Sequence, residues 1–177
     1  MLFERINASG LGLTIGSIGG SVVKNITFRD CHMHKTYKGI YLKFRGSGLI
    51  QDVLYENIYM DAPEQWPIWI GPAQQADSVD ICKADPCSLC WPDFPFAECN
   101  MPVNASYIDI TLRNVTVIDP VESTGVIIGS TTDPMQNVVF DGVVFKNAPG
   151  NYYVCENVNS GIAAGGTNPV PTCFKQQ

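Results

Sequence analysis

The feature that most constrains this chain is that it repeats. Laid on itself, the sequence superimposes four nine-residue segments: Asn25 to Met33 (NITFRDCHM), Asp52 to Met60 (DVLYENIYM), Asp109 to Val117 (DITLRNVTV) and Asn137 to Phe145 (NVVFDGVVF). A shorter fifth match runs from Leu2 to Ala8. In each segment the second and fourth residues are apolar, as in Ile26 with Phe28 or Val138 with Phe140. That alternation marks a strand with one buried face. A polar pair follows (Arg29-Asp30, Glu56-Asn57, Arg113-Asn114), then apolar residues return, so the chain is expected to turn there and start another strand. A second apolar run comes later in each repeat, over residues 12–17, 39–44, 67–72, 125–130 and 151–156.

Each repeat therefore holds about three short strands. The steps are 25 residues (Phe3 to Phe28), 27 (Phe28 to Tyr55) and 28 (Leu112 to Phe140). Helical repeats of that length would space apolar residues three and four apart and use few β-branched residues, whereas this chain is rich in Val, Ile and Thr with Gly and Asn at the corners. The pattern predicts an all-β parallel β-helix of about five coils. An antiparallel sandwich is the runner-up, but it calls for hairpin signals such as Asn-Gly, which are missing. With 177 residues, 45% of them hydrophobic, the chain reads as one domain over residues 1–177.

The long step from Tyr55 to Leu112 contains an insertion over residues 73–105 that breaks the pattern. It holds Cys82, Cys87, Cys90 and Cys99 among prolines and aromatics such as Pro92, Trp91 and Phe94. Such a loop is commonly functional or stapled. Zinc is one reading of the four cysteines, but two disulfides are the expectation in a secreted chain.

Charge and modification signals narrow the setting. A net charge of −6 argues against nucleic acid and anionic membranes as partners, since both ask for basic faces. Seven cysteines and the Asn-x-Ser/Thr sequons at Asn7, Asn25, Asn104 and Asn114 point to an oxidising, extracellular setting with N-glycosylation. No stretch approaches the roughly 18 apolar residues of a membrane span, and the N-terminus has no signal-peptide pattern. A secreted protein without its leader is read as a truncated chain, and the β-helix edge thereby exposed is expected to invite association.

Two motifs carry a resemblance. Ser9-Gly10-Leu11-Gly12-Leu13-Thr14-Ile15-Gly16-Ser17-Ile18-Gly19 resembles the Gly-His-Gly-x-Ser-Ile-Gly-Ser stretch of glycoside hydrolase family 28, the polygalacturonases and their relatives. Gly39-Ile40-Tyr41-Leu42-Lys43, one coil later, is similar to that family's Gly-x-Arg-Ile-Lys. The resemblance is strongest over residues 9–71 and covers the C-terminal part of the family pattern. It implies a right-handed parallel β-helix of the pectin-lyase-like kind, usually monomeric, that needs no cofactor or metal. It also implies inverting hydrolysis of α-1,4 galacturonosyl links in pectin, an acidic polysaccharide. Inversion requires two carboxyl groups about 6.5 to 9.5 Å apart. In the family these come from motifs upstream of Gly-His-Gly, so no catalytic residue is assigned within the chain.

The matching positions also depart from the family. The histidine between the glycines is Leu11, which exchanges no proton, and the arginine is Tyr41, which cannot clamp a carboxylate. Only Lys43 matches in kind, and the family's lysine binds the substrate carboxylate. It lies in a basic stretch (Lys24, Arg29, Lys35, Lys38, Lys43, Arg45) that reads either as a polyanion-binding face or as a solvated turn. Tyr41 and Trp66 are further substrate-binding residues by stacking on sugar rings, though each could equally be packing. Cys155 and Cys173 are expected to close the C-terminal tail, leaving Cys31 as a buried thiol. His32 and His34 form a pair without a third metal ligand. The chain is read as part of a polygalacturonase-type hydrolase that is inactive alone, the alternative being a non-catalytic carbohydrate-binding or structural β-helix.

Overall fold

The computed structural model describes residues 1–73 and 101–177. The four cysteines Cys82, Cys87, Cys90 and Cys99 lie outside the described residues. Among those described, all regular structure is strand. The first coil contains β1 (Leu2–Glu4), β2 (Asn7–Ala8) and β3 (Leu13–Ile18). The next four are β4 (Ser21–His34) with β5 (Ile40–Phe44), β6 (Gly48–Asp61) with β7 (Ile68–Pro72), β8 (Ala105–Ile118) with β9 (Gly125–Ile128), and β10 (Gln136–Lys146) with β11 (Tyr153–Glu156). The short strands β12 (Gly161–Ala164) and β13 (Lys175–Gln176) finish the stack.

Every pairing between these strands is parallel. The first sheet follows the order β1-β4-β6-β8-β10-β12-β13, with β2 also on β4, and the second follows β11-β9-β7-β5-β3. This is a right-handed parallel β-helix. Its register is the repeat alignment: Phe3 faces Phe28, Phe28 faces Tyr55, Tyr55 faces Leu112 and Leu112 faces Phe140. Inside the coil these side chains form a continuous stack, with near-parallel rings at 5.0 Å for Phe3 on Phe28 and 4.8 Å for Phe28 on Tyr55. Burial of each such side chain contributes roughly 1.5–3 kcal/mol.

The corners differ from the sequence expectation. The polar pair does not end a strand: β4, β6 and β8 each run through it for 14 residues. They bend instead at single residues with positive φ, namely Asp30, Asn57 and Asn114, and again at the first position of the repeat, Asn25, Asp52 and Asp109, as β10 does at Asn137. Asn and Asp tolerate this left-handed conformation because their short polar side chains bond locally. Here they also bond from coil to coil. Asn57 donates to Asp30 at 2.8 Å and accepts from Asn114 at 2.8 Å, while Asn137 donates to Asp109 at 2.6 Å and Asn147 to Asp119 at 2.7 Å.

Charge is stacked in the same way on the outside of the first sheet. Glu4, Arg29, Glu56, Arg113 and Asp141 occupy one register row with alternating sign. Arg29 meets Glu56 at 2.8 Å, and Arg113 reaches Glu56 at 3.5 Å and Asp141 at 3.3 Å. At the C-terminal end Phe174 packs on Phe140 and fills the space beside Gly161, where a Cβ would meet its ring. Cys173, next to it, is disulfide-bonded to Cys155. Cys31 is a buried free thiol.

Two substitutions test the corner ladder by opposite signs. Asn57→Ala removes two ladder bonds and places alanine at positive φ, and is expected to lower the unfolding free energy by about 2–3 kcal/mol. Ala62 has a φ of 48° beside Asp119, and Ala62→Asn is expected to raise it by about 0.5–1 kcal/mol. Denaturant titration of both variants checks the pair. A stabilising Asn57→Ala would refute the ladder's role.

Candidate functional site

The second sheet has an inner and an outer face because its residues alternate. Ile40, Leu42 and Phe44 of β5, with Ile68 and Ile70 of β7, point into the core. Their neighbours point out and form two rows. One row is Thr14, Tyr41, Trp69, Val126 and Val154. The other pairs Lys43 with Gly71 and Ile128 with Glu156.

The first row is an outer face by parity, yet its centre is buried. Tyr41 is 2% exposed, and Trp69 and Val126 are fully covered. With Trp66, 6% exposed, and Ile128 they form a second apolar cluster distinct from the coil interior. Tyr41 and Trp69 meet edge to face at 6.1 Å, and Trp66 meets Tyr152 similarly at 6.3 Å. Thus Tyr41 and Trp66, the two aromatics singled out from the sequence, share one cluster, with Trp66 packed from the turn before β7.

Cations sit against this cluster. Lys38 is 1% exposed, and its ammonium lies 4.7 Å from the Trp69 ring, 5.1 Å from Tyr41 and 5.4 Å from Tyr37. It donates to Gln65 Oε1, and Gln65 Nε2 donates to the Tyr37 hydroxyl at 2.6 Å. Lys43 is half-buried, with its ammonium 4.4 Å from the Tyr41 ring. It has no carboxylate partner among the described residues. Loss of hydration, aided by the positive charge of Arg45, holds the Lys43 pKa below the ordinary lysine value of 10.5.

The backbone around Lys43 is tightly fixed. A Cβ at Gly16 would collide with the carbonyl oxygen and Cγ of Lys43, so the glycine of the first motif lets β3 lie against it. From the opposite sheet the Tyr107 hydroxyl crosses the core to within 3.0 Å of the Leu42 carbonyl and 2.8 Å of the Gly71 carbonyl. Those residues precede Lys43 in sequence and face it in register.

The remaining sequence candidates fall elsewhere. Leu11 is 46% exposed in the turn before β3. The basic stretch does not act as one surface. Arg29 is paired with Glu56, Lys38 is buried, and Lys24, Lys35 and Arg45 are exposed. His34 pairs with Asp61 at 2.6 Å and the His32 ring packs edge-on against Tyr59. Asn7, Asn25, Asn104 and Asn114 are exposed, although the Asn114 amide also serves the corner ladder. The sequence reading left out Trp69, Gln65 and the burial of Lys38. Trp69 had a signal, since it occupies the same repeat position as Tyr41.

The half-buried Lys43 charge has a stability consequence. A lysine whose pKa is lowered by folding weakens the native state below that pKa, and stability returns as pH rises through it. Lys43→Met is therefore expected not to lower the thermal midpoint at neutral pH. Calorimetry decides this, and a drop of several degrees would count against a desolvated charge.

Residues 3–164 match the family model described as glycosyl hydrolases family 28, nearly the whole chain. No curated protein and no solved structure matches it.

Proposed function

Because the chain belongs to glycosyl hydrolases family 28, we propose that it takes an acidic, pectin-type polyuronide on the outer side of the second sheet, where Lys43 binds a uronate carboxylate. The observation that carries this reading is the Lys43 ammonium itself. It is half desolvated, rests on the Tyr41 ring and has no carboxylate of the described residues to neutralise it. A ligand carboxylate supplies that partner, and a charge-assisted hydrogen bond in a partly dry setting is among the stronger polar contacts. Arg45, two residues on, adds a second positive charge for a polymer that repeats its own.

Hydrolysis is a separate step. The polygalacturonase reaction, inverting cleavage of an α-1,4 link, needs two carboxyl groups across the bond. Among the described residues, the outward positions of the second sheet hold one carboxylate, Glu156, and Leu11 cannot take the part of the family histidine. On this reading the described residues bind the polyuronide and do not by themselves cleave it. The Cys155–Cys173 disulfide supports an oxidising, extracellular setting for that binding.

Binding of polygalacturonate, followed by titration calorimetry, should be measurable for the chain and weakened about 10- to 100-fold by Lys43→Ala. Affinity should be at its full value where Lys43 is protonated and should decline as pH rises through a midpoint below 10.5. A reducing-sugar assay of the same protein should show no new chain ends. Turnover would refute the separation of binding from cleavage, and equal affinity of Lys43→Ala would refute the assignment of the carboxylate to Lys43.

A further inference from the structure

We propose that Lys38 is a positioning residue of this face: its buried ammonium clamps the Tyr41 ring on which the Lys43 ammonium sits. The inference rests on the reading that Lys43 takes a uronate carboxylate. Lys38 lies just before the Gly39–Lys43 motif, in the turn that leads into β5, and at 1% exposure it cannot touch a polymer outside. Any effect on binding must travel through what it packs against.

That packing converges on Tyr41. The ring has the Lys38 ammonium at 5.1 Å, the Lys43 ammonium at 4.4 Å and the Trp69 ring at 6.1 Å with an interplanar angle of 74°. Rotation of the ring would forfeit a cation–π contact with one lysine or the other. Lys38 is itself held by Gln65, which accepts from its ammonium and is tied by its own amide to Tyr37. A buried ammonium is costly to dehydrate, and three aromatic faces within 5.4 Å recover part of that cost. The resulting order runs from Gln65 to Lys38, to the Tyr41 ring, to Lys43.

The test is calorimetric titration of trigalacturonate into the full chain and three variants, each with its thermal midpoint. Lys38→Met keeps the length and removes the charge, and its affinity is expected to fall about fivefold to tenfold. Lys38→Arg keeps the charge and should stay within about twofold of the parent, since guanidinium also stacks on aromatic faces. Gln65→Leu leaves the ammonium but removes the Gln65 acceptor from it, and should lose about threefold. Equal affinity of a folded Lys38→Met and the parent would overturn the proposal. Equal losses in Lys38→Met and Lys38→Arg would also overturn it, because they would assign the effect to packing and not to charge. Should Lys38→Met show no cooperative melt, Gln65→Leu decides: weaker binding supports the clamp and unchanged binding overturns it. Failure of the parent chain to bind trigalacturonate would instead remove the Lys43 reading, and the inference with it.

Discussion

The parallel stacking of one coil on the next, like residue on like, is the constraint from which the rest follows. Adjacent strands lie about 4.8 Å apart, so whatever occupies a repeat position in one coil meets its counterpart in the next. Apolar positions become the Phe3-Phe28-Tyr55 stack, corner positions become Asx ladders, and exposed positions become the alternating Glu4-Arg29-Glu56-Arg113 row. The left-handed corners depend on the stacking, because an isolated asparagine at positive φ would have no second amide to bond. They in turn hold the strand directions that the stacking needs.

The candidate site is the place where that order is interrupted. On the second sheet the outward rows do not repeat a residue type, as Thr14, Tyr41, Trp69, Val126 and Val154 follow one another. Two lysines from one coil converge on a single ring of that row. Among the described residues, Lys43 has no share in the coil-to-coil charge pairing that neutralises Arg29 and Arg113. A charge placed against an aromatic wall with little hydration weakens the fold and strengthens the capture of an anion, a familiar exchange between stability and function.

Much of the fold was legible in the sequence because period-two burial leaves a strong mark. Self-alignment of Asn25–Met33 with Asp52–Met60 placed Cys31 opposite Ile58 and Phe28 opposite Tyr55, and the strands pair in that register. The corners were harder to read. Their left-handed residues include Arg5, Lys35 and Ala62 as well as Asn and Asp, so composition alone does not mark them, and a polar pair looks like a strand end. At the site, Lys43 could be singled out from its motif. Lys38 could not, since a lysine in a basic stretch reads as solvated, and its burial comes with the convergence of Tyr37, Tyr41, Trp69 and Gln65 from different coils. Those residues are up to 32 positions apart in sequence and meet through the stacking of β5 on β7.

The most direct test of the central claim is a crystal structure of the chain with a bound oligogalacturonide. The expected result is a uronate carboxylate within hydrogen-bonding distance of Lys43 Nζ, with the Tyr41 ring and Lys38 unmoved beneath it. An ordered sugar chain bound elsewhere, along the charged outer row of the first sheet for example, with the Lys43 ammonium empty, would contradict it.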